Sequence, residues 1–179
     1  MKKIILIILL LGLVKTPHSQ TVWNNQNSGT SNNLNKIYNF YTVSGNALFI
    51  AGDNGIILRS TNNGNVWESI NSNTTEDLHS IDIRYNDTGY AVGSNGIILK
   101  TVNGGLNWSK EEVNTNLNLR DVKLVYPGIV KAVAAGDNGF IFLLINNEWK
   151  KESISTENLN SIAYFQFTPI LHHCCPKHF

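Results

Sequence analysis

The side chains best suited to chemistry sit in three places. Near the C-terminus His172, His173, Cys174 and Cys175, with His178 close behind, group soft and borderline ligands of the kind that hold zinc or copper. Structural zinc sites usually separate paired cysteines by about two to four residues, and adjacent cysteines aim their thiolates awkwardly. Arg59, Arg84 and Arg120 are the three arginines of the chain and the groups able to grip a carboxylate. Gly52-Asp53-Asn54-Gly55 and Gly136-Asp137-Asn138-Gly139 place carboxylates in glycine-rich turns. They have neither the spacing of a calcium loop nor that of a phosphate loop, and hairpin turns account for them. No catalytic, cofactor-binding or metal-ligating residue is assigned on this basis, and no cofactor is expected.

The elements that would carry these residues follow from a repeat. Gly55 to Trp67 reads GIILRSTNNGNVW and Gly96 to Trp108 reads GIILKTVNGGLNW, each preceded by a Gly-x-Asn turn. A third copy starts at Ala134 (AAGDNGFIFL) and then departs. Gly55 to Gly96, Trp67 to Trp108 and Trp108 to Trp149 each span 41 residues, and Trp23 to Trp67 spans 44. A period of that length, made of short apolar runs between turn residues, marks a repeat architecture of strands. No stretch sustains an apolar 3.6-residue period, so helices are not expected.

Four strands fit one period. The first opens on a leucine (Leu34, Leu78, Leu119, Leu159), and the second is short and apolar (Ala47 to Ala51, Gly89 to Val92, Ile129 to Ala135). Two-residue turns at Asp53-Asn54, Ser94-Asn95 and Asp137-Asn138 lead to the third, and the fourth carries Trp67, Trp108 or Trp149. The expected units are about 34–70, 78–112 and 119–153, with a partial one at 159–165, inside a repeat region of 20–167.

The N-terminus reads differently. Met1-Lys2-Lys3, an apolar run from Ile4 to Val14 and a polar stretch to Gln20 have the pattern of a secretory signal peptide, assigned to 1–19 with cleavage after Ser19 or Gln20. The run is shorter than the roughly 20 residues that cross a bilayer. The expected protein is therefore exported, to the periplasm or beyond, and not integral to a membrane. Formal net charge is +1, and without Lys2, Lys3 and Lys15 it becomes 11 basic against 13 acidic residues, or −2. That balance argues against nucleic acid, which wants a basic face. With Cys174 and Cys175 adjacent, no long-range disulfide is available.

The most specific feature lies between the third and fourth strands, where Ser60, Asn62, Gly64 and Trp67 share their spacing with Thr101, Asn103, Gly105 and Trp108. A hydroxyl, an amide, a glycine and a ring make a hairpin clamp. The amide is expected to accept an N–H two residues on, as in an Asx-turn, and the ring to bury between sheets. These boxes resemble the Asp-box repeats of sialidase-type β-propellers (Ser/Thr-x-Asp-x-Gly-x-Thr-Trp), with Asn62 and Asn103 replacing the aspartate. Gly89-Tyr90-Ala91-Val92-Gly93-Ser94-Asn95-Gly96-Ile97-Ile98-Leu99-Lys100-Thr101 resembles more closely a blade of the photosystem II stability and assembly factor family. The resemblance runs from Trp23 to about Phe165.

It implies an all-β chain of four-stranded antiparallel blades, about three complete and one partial, in an incomplete ring, the propeller being truncated. Residues 168–179 then form an atypical tail. It also implies a non-enzymatic scaffold that binds another protein, as assembly factors do. Self-association of the open half-ring is a further expectation. The alternative is glycan binding or a vestigial sialidase-like glycosidase. That reading needs arginines converging on a carboxylate, and Arg59 instead aligns with Lys100 in a third strand. The partner face is placed on the turns between second and third strands and on the polar loops before each first strand, with Asp53, His79, Arg120 and Asp137 as its candidates.

Overall fold

Short apolar runs separated by Asn-, Asp- and Gly-rich turns leave the backbone one simple way to satisfy its N–H and C=O groups, antiparallel ladders between neighbouring runs. In a computed structural model, which describes residues 25–42, 45–84, 87–125 and 128–163, the runs form three four-stranded antiparallel sheets, each in plain sequence order. The first contains β1 (Leu34–Thr42), β2 (Gly45–Gly52), β3 (Ile57–Ser60) and β4 (Glu68–Ile70). The second contains β5 (Leu78–Ile83), β6 (Gly89–Gly93), β7 (Ile98–Thr101) and β8 (Ser109–Glu111). The third contains β9 (Leu119–Leu124), β10 (Val130–Gly136), β11 (Phe140–Ile145) and β12 (Glu148–Ser153).

The sheets stack face to face as propeller blades do. The strand period of two sends alternate residues of the middle sheet to different neighbours. Ala91 and Leu99 join Phe49, Ile57, Ile81 and Trp108 in a core against the first sheet. Val92 and Ile98 join Val122, Phe142 and Leu144 in a core against the third. Each fully buried Ile, Leu or Phe contributes about 1.5–3 kcal/mol relative to exposure. The first strands β1, β5 and β9 run side by side on the inner edge of the stack. The chain is thus all-β and propeller-like, as the repeat predicts.

Several local features differ from the sequence reading. The central pair of the turn after β2 is Asn54-Gly55, not Asp53-Asn54: both have left-handed φ (56° and 69°), and Ile56 N–H donates to the Asp53 carbonyl. That is a type I′ turn, whose twist suits a hairpin. The same shift by one residue holds at Asn95-Gly96 and Asn138-Gly139. Trp67 and Trp108 stand just before β4 and β8 rather than within them, whereas Trp149 lies inside β12. Trp108 is buried, 3% exposed, while Trp67 and Trp149 are half-buried. In the third sheet Asn146 and Asn147, with φ of 52° and 64°, close the two-residue hairpin expected where the box is missing, with Ile145 opposite Glu148. The signal-peptide pattern, Trp23, Tyr164, Phe165 and the His/Cys tail lie outside the described residues.

Gly96 shows why the turn demands glycine. Its φ is +70°, and a Cβ there would stand 2.4 Å from the Thr115 carbonyl oxygen of the loop leading to β9. Gly96→Ala is expected to destabilise the protein by about 2–3 kcal/mol, from left-handed strain and loop displacement together. Thermal unfolding would register this as a fall in Tm of roughly 5–10 °C.

Candidate functional site

The repeated boxes are built from short polar side chains that satisfy their own loop. In the first, the Ser60 hydroxyl accepts the Gly64 N–H at 3.0 Å and donates to Asn62 Oδ1 at 2.9 Å. Asn62 Oδ1 also accepts the Val66 N–H at 2.9 Å. The second box repeats this with Thr101, Asn103, Gly105 and Asn107 at 2.9–3.0 Å. The amide therefore reaches four residues on, not the two expected of an Asx-turn. Only its oxygen is used, as acceptor, so asparagine replaces the aspartate of the resembled boxes without loss of the clamp. Trp108 Nε1–H donates to the Gly105 carbonyl at 3.1 Å, and Gly105 packs on Phe49 of the first sheet. The third sheet has no such loop, and Trp149 Nε1, buried edge-on to Tyr90 at 5.3 Å, has no hydrogen-bond partner among the described residues. The boxes are structural clamps.

At the other end of the sheets the turns after β2, β6 and β10 meet the loops that lead to the next sheet. Asp77 Oδ1 accepts the Asn54 N–H at 2.9 Å, Asn118 Oδ1 the Asn95 N–H at 3.3 Å, and Asn158 Oδ1 the Asn138 N–H at 3.0 Å. The same residues use their backbone carbonyls on their own sheets: Asp77 accepts from Ser94 N–H and Asn118 from Asp137 N–H, as Asn33 does from Asp53. Sequence reasoning missed this latch, although its signal is plain. An Asx residue stands directly before each first-strand leucine, Asn33-Leu34, Asp77-Leu78 and Asn118-Leu119, and Asn158 stands in the same way before Leu159, although described residues 159–163 form no strand.

The four partner-face candidates lie at this end, and each is engaged within the chain. Asp53 accepts from Asn33 and Asn35 Nδ2 at 2.7 and 2.8 Å, bonds that, with Asn35 foremost, hold its carboxyl below the ordinary value. His79 reaches from β5 to the Leu119 carbonyl of β9 through Nδ1 at 2.9 Å, with Ser94 Oγ 3.4 Å from Nε2. Donation to that carbonyl fixes the tautomer with the proton on Nδ1. Arg120 Nε donates to Asp137 at 2.7 Å, and Asn118 Nδ2 to the same carboxylate at 2.9 Å. Asp53, His79, Arg120 and Asp137 are therefore an ordered polar rim rather than free side chains.

A second missed constellation runs along the inner strands. The Ser80 hydroxyl donates to Asp121 Oδ1 at 2.6 Å, and Asp121 Oδ2 accepts Ile162 N–H at 2.9 Å, tying residues 159–163 to β9. Asp82 accepts Leu124 N–H at 2.8 Å, and Tyr38 donates to the Ile83 carbonyl at 2.7 Å. Asp82 and Asp121 are each only 2% exposed. Burial pushes the Asp121 carboxyl up, but Ser80, the Ile162 N–H, Lys123 and Lys36 together outweigh it and hold the group below the usual carboxylate value. Burial, reinforced by Asp82, raises the Tyr38 hydroxyl. Their signal in the sequence is a polar residue two places after the first-strand leucine at Ser80 and Asp121, and four places after it at Asp82, positions left open by a strand recognised from its leading leucine.

The arginines do not converge. Arg120 serves the rim, Arg84 donates to the Leu124 carbonyl at the opposite end of β9, and Arg59 sits on β3. Among the described residues no three His, Cys, Asp or Glu side chains gather as metal ligands, and no helix is long and apolar enough to cross a membrane.

Stacked four-stranded sheets, inner first strands and clamped outer hairpins define a β-propeller-type repeat protein. Its structural likeness is to YCF48, a photosystem II assembly factor. A structure of YCF48 bound to a D1 peptide superposes with a TM-score of 0.56 at 19% identity, over 68% of this chain and 40% of that one. YCF48 from Cyanidioschyzon merolae gives 0.58 at 21% identity, over 70% and 42%. The matched region thus spans about two fifths of those propellers. At this identity the likeness establishes the fold. No family model and no curated protein matches the sequence.

The buried carboxylate sets a pH dependence. A folded-state value below that of the unfolded chain, about 4, means stabilisation complete above that pH and lost as pH falls through the folded value. Asp121→Asn should cost about 2–3 kcal/mol at neutral pH, by leaving Lys36 and several donors poorly matched. Urea unfolding of both proteins should show that difference shrinking below about pH 4, where wild type also loses the charge.

Proposed function

We propose that this chain is an exported, non-enzymatic β-propeller scaffold whose turn-side rim binds a segment of another protein, in the manner of an assembly factor. The observation that carries the reading is the likeness of its three-sheet stack to YCF48, one structure of which holds a D1 peptide. The rim supports it physically. Asp53, Arg120 and Asp137 are held at fixed positions by bonds within their own sheets and His79 by the next sheet, so little conformational entropy remains to be lost on binding. Polar loops on a rigid frame are where propellers present their variable chemistry. The dispersed arginines remove the carboxylate grip that a sialidase-like reading would need. Export rests on the Lys2-Lys3 start and apolar run to Val14, and N-terminal sequencing of protein recovered outside the cytoplasm should begin at Gln20 or Thr21.

Fluorescence anisotropy with a labelled D1 peptide tests the binding claim directly. Saturable binding is expected, weakened about fivefold or more by Arg120→Ala, a loss of roughly 1 kcal/mol or more. An unbound peptide together with specific signals on a glycan array would replace this reading with carbohydrate recognition.

A further inference from the structure

On the box side of the sheets, away from the rim, two clefts open at repeat-equivalent places. One lies between the first and second sheets, about 360 Å³, lined by Arg59, Asp87, Phe40 and Leu106 among others. The other lies between the second and third sheets, about 440 Å³. Arg59, opposite Phe49, and Lys100, opposite Tyr90, occupy the same register, so each cleft inherits one third-strand cation from the repeat. The second cleft then departs from the pattern. Arg84 and Lys131 join Lys100 in its lining, Val102, Leu124 and Leu144 supply an apolar wall, and no carboxylate lines it.

The cations are incompletely used. Arg84 donates to the Leu124 carbonyl, yet its Nε is buried with no hydrogen-bond partner among the described residues. A buried donor left unpaired is costly and calls for a partner such as a water or a ligand, and Arg59 Nε in the first cleft is in the same state, so it is the added cations that set the second cleft apart. Lys131 donates to the Gly128 carbonyl at 2.8 Å, which leaves its remaining N–H groups available. Lys100 pairs with Glu111 at 3.4 Å, the one carboxylate partner among the three cations. Among the described residues neither Arg84 nor Lys131 has a carboxylate within ion-pair distance, and both stand around a half-enclosed volume. Tyr90, pushed up to about 12 by burial and then by Glu111, keeps its phenolic proton and adds no negative charge.

We propose that this cleft binds a small organic anion: a carboxylate or phosphate head held by Arg84, Lys131 and Lys100, on a compact apolar body lying against Val102, Leu124 and Leu144. Arginine matches two anionic oxygens in its plane, and the lysines add point charges from the facing sheets. The volume suits a ligand at the small end of ordinary pockets. The site lies on the opposite side of the sheets from the rim and does not depend on the protein-binding reading.

Calorimetric titration of the full chain with benzoate, phenyl phosphate, inorganic phosphate and neutral benzamide tests the proposal. At least one of the two aromatic acids should bind saturably, and benzamide about tenfold or more weaker. Which acid prevails separates carboxylate from phosphate as the natural head group. Arg84→Gln and Lys131→Gln should each weaken the preferred acid about fivefold or more, while Arg59→Gln in the equivalent cleft leaves it unchanged. Lys131 is solvent-exposed, so its variant tests the site even if the Arg84 variant fails to fold. The proposal is overturned if neither acid saturates at millimolar concentration, if benzamide binds equally well, or if Lys131→Gln has no effect. Inorganic phosphate binding as tightly as phenyl phosphate would equally overturn the apolar half of the site.

Discussion

A backbone N–H at the tip of a left-handed turn has no partner within its own hairpin, and in this protein the next sheet supplies one. Asn54, Asn95 and Asn138 each present such a group, and Asp77, Asn118 and Asn158 each accept it. Asp77 and Asn118 also hold the turn of their own sheets through their carbonyls. One residue before an inner strand thus fixes two turns on two sheets. Apolar packing between the sheets supplies most of the stabilisation but is non-directional, and it would tolerate sliding. The latch does not, because a displaced sheet would strand a polar group at its edge. Sheet-to-sheet register depends on it.

The third sheet separates what the stack needs from what a single hairpin needs. It has lost the box, replacing it with a two-residue turn at Asn146-Asn147, and the cost is local: Trp149 keeps its place against Tyr90 but its Nε1 goes unpaired among the described residues. The latch at Asn138 to Asn158 survives unchanged. So do the inner-strand bonds, since Asp121 of β9 takes both Ser80 from the preceding sheet and Ile162 from the segment that follows. A clamp that closes its own loop can be dropped from one repeat. A bond that joins two repeats cannot be dropped without loosening both, which is how stacked repeats share their stability.

This difference also explains what could be read from the sequence. Strand order, four strands per unit and the box clamp were legible because each is local, and a repeat of 41 residues prints local chemistry twice. The turn centres were misplaced by one residue because Asp-Asn and Asn-Gly both look like turn pairs, and only the positive φ at Gly55 and Gly96 decides between them. The reach of Asn62 and Asn103 was misjudged because an Asx side chain has several partners within range. Interactions between units were hardest to see. Nothing in the sequence singles out Asp121 until Ser80, 41 positions earlier, is known to lie beside it. His79 reads as a partner-face residue until the Leu119 carbonyl is found in front of it.

Repeat equivalence then becomes a way to separate fold from function. At the place after each first-strand leucine, Asn35 and His79 reach across to the leucine carbonyl of the next sheet, at Leu78 and Leu119. Arg120 makes no such reach among the described residues and, as Asn35 also does at Asp53, bonds the turn aspartate of its own sheet, Asp137, here as an ion pair. The box-side clefts diverge in the same way: each has its third-strand cation, and only the second adds Arg84 and Lys131 while dropping the carboxylate. Residues that keep the pattern are accounted for by the stack, since changing them would strand a partner in a neighbouring unit. Arg84 and Lys131 depart from it: each donates to one carbonyl but has no carboxylate partner among the described residues, so the stack does not account for their charge. They are where this scaffold has chemistry to spare for something outside itself.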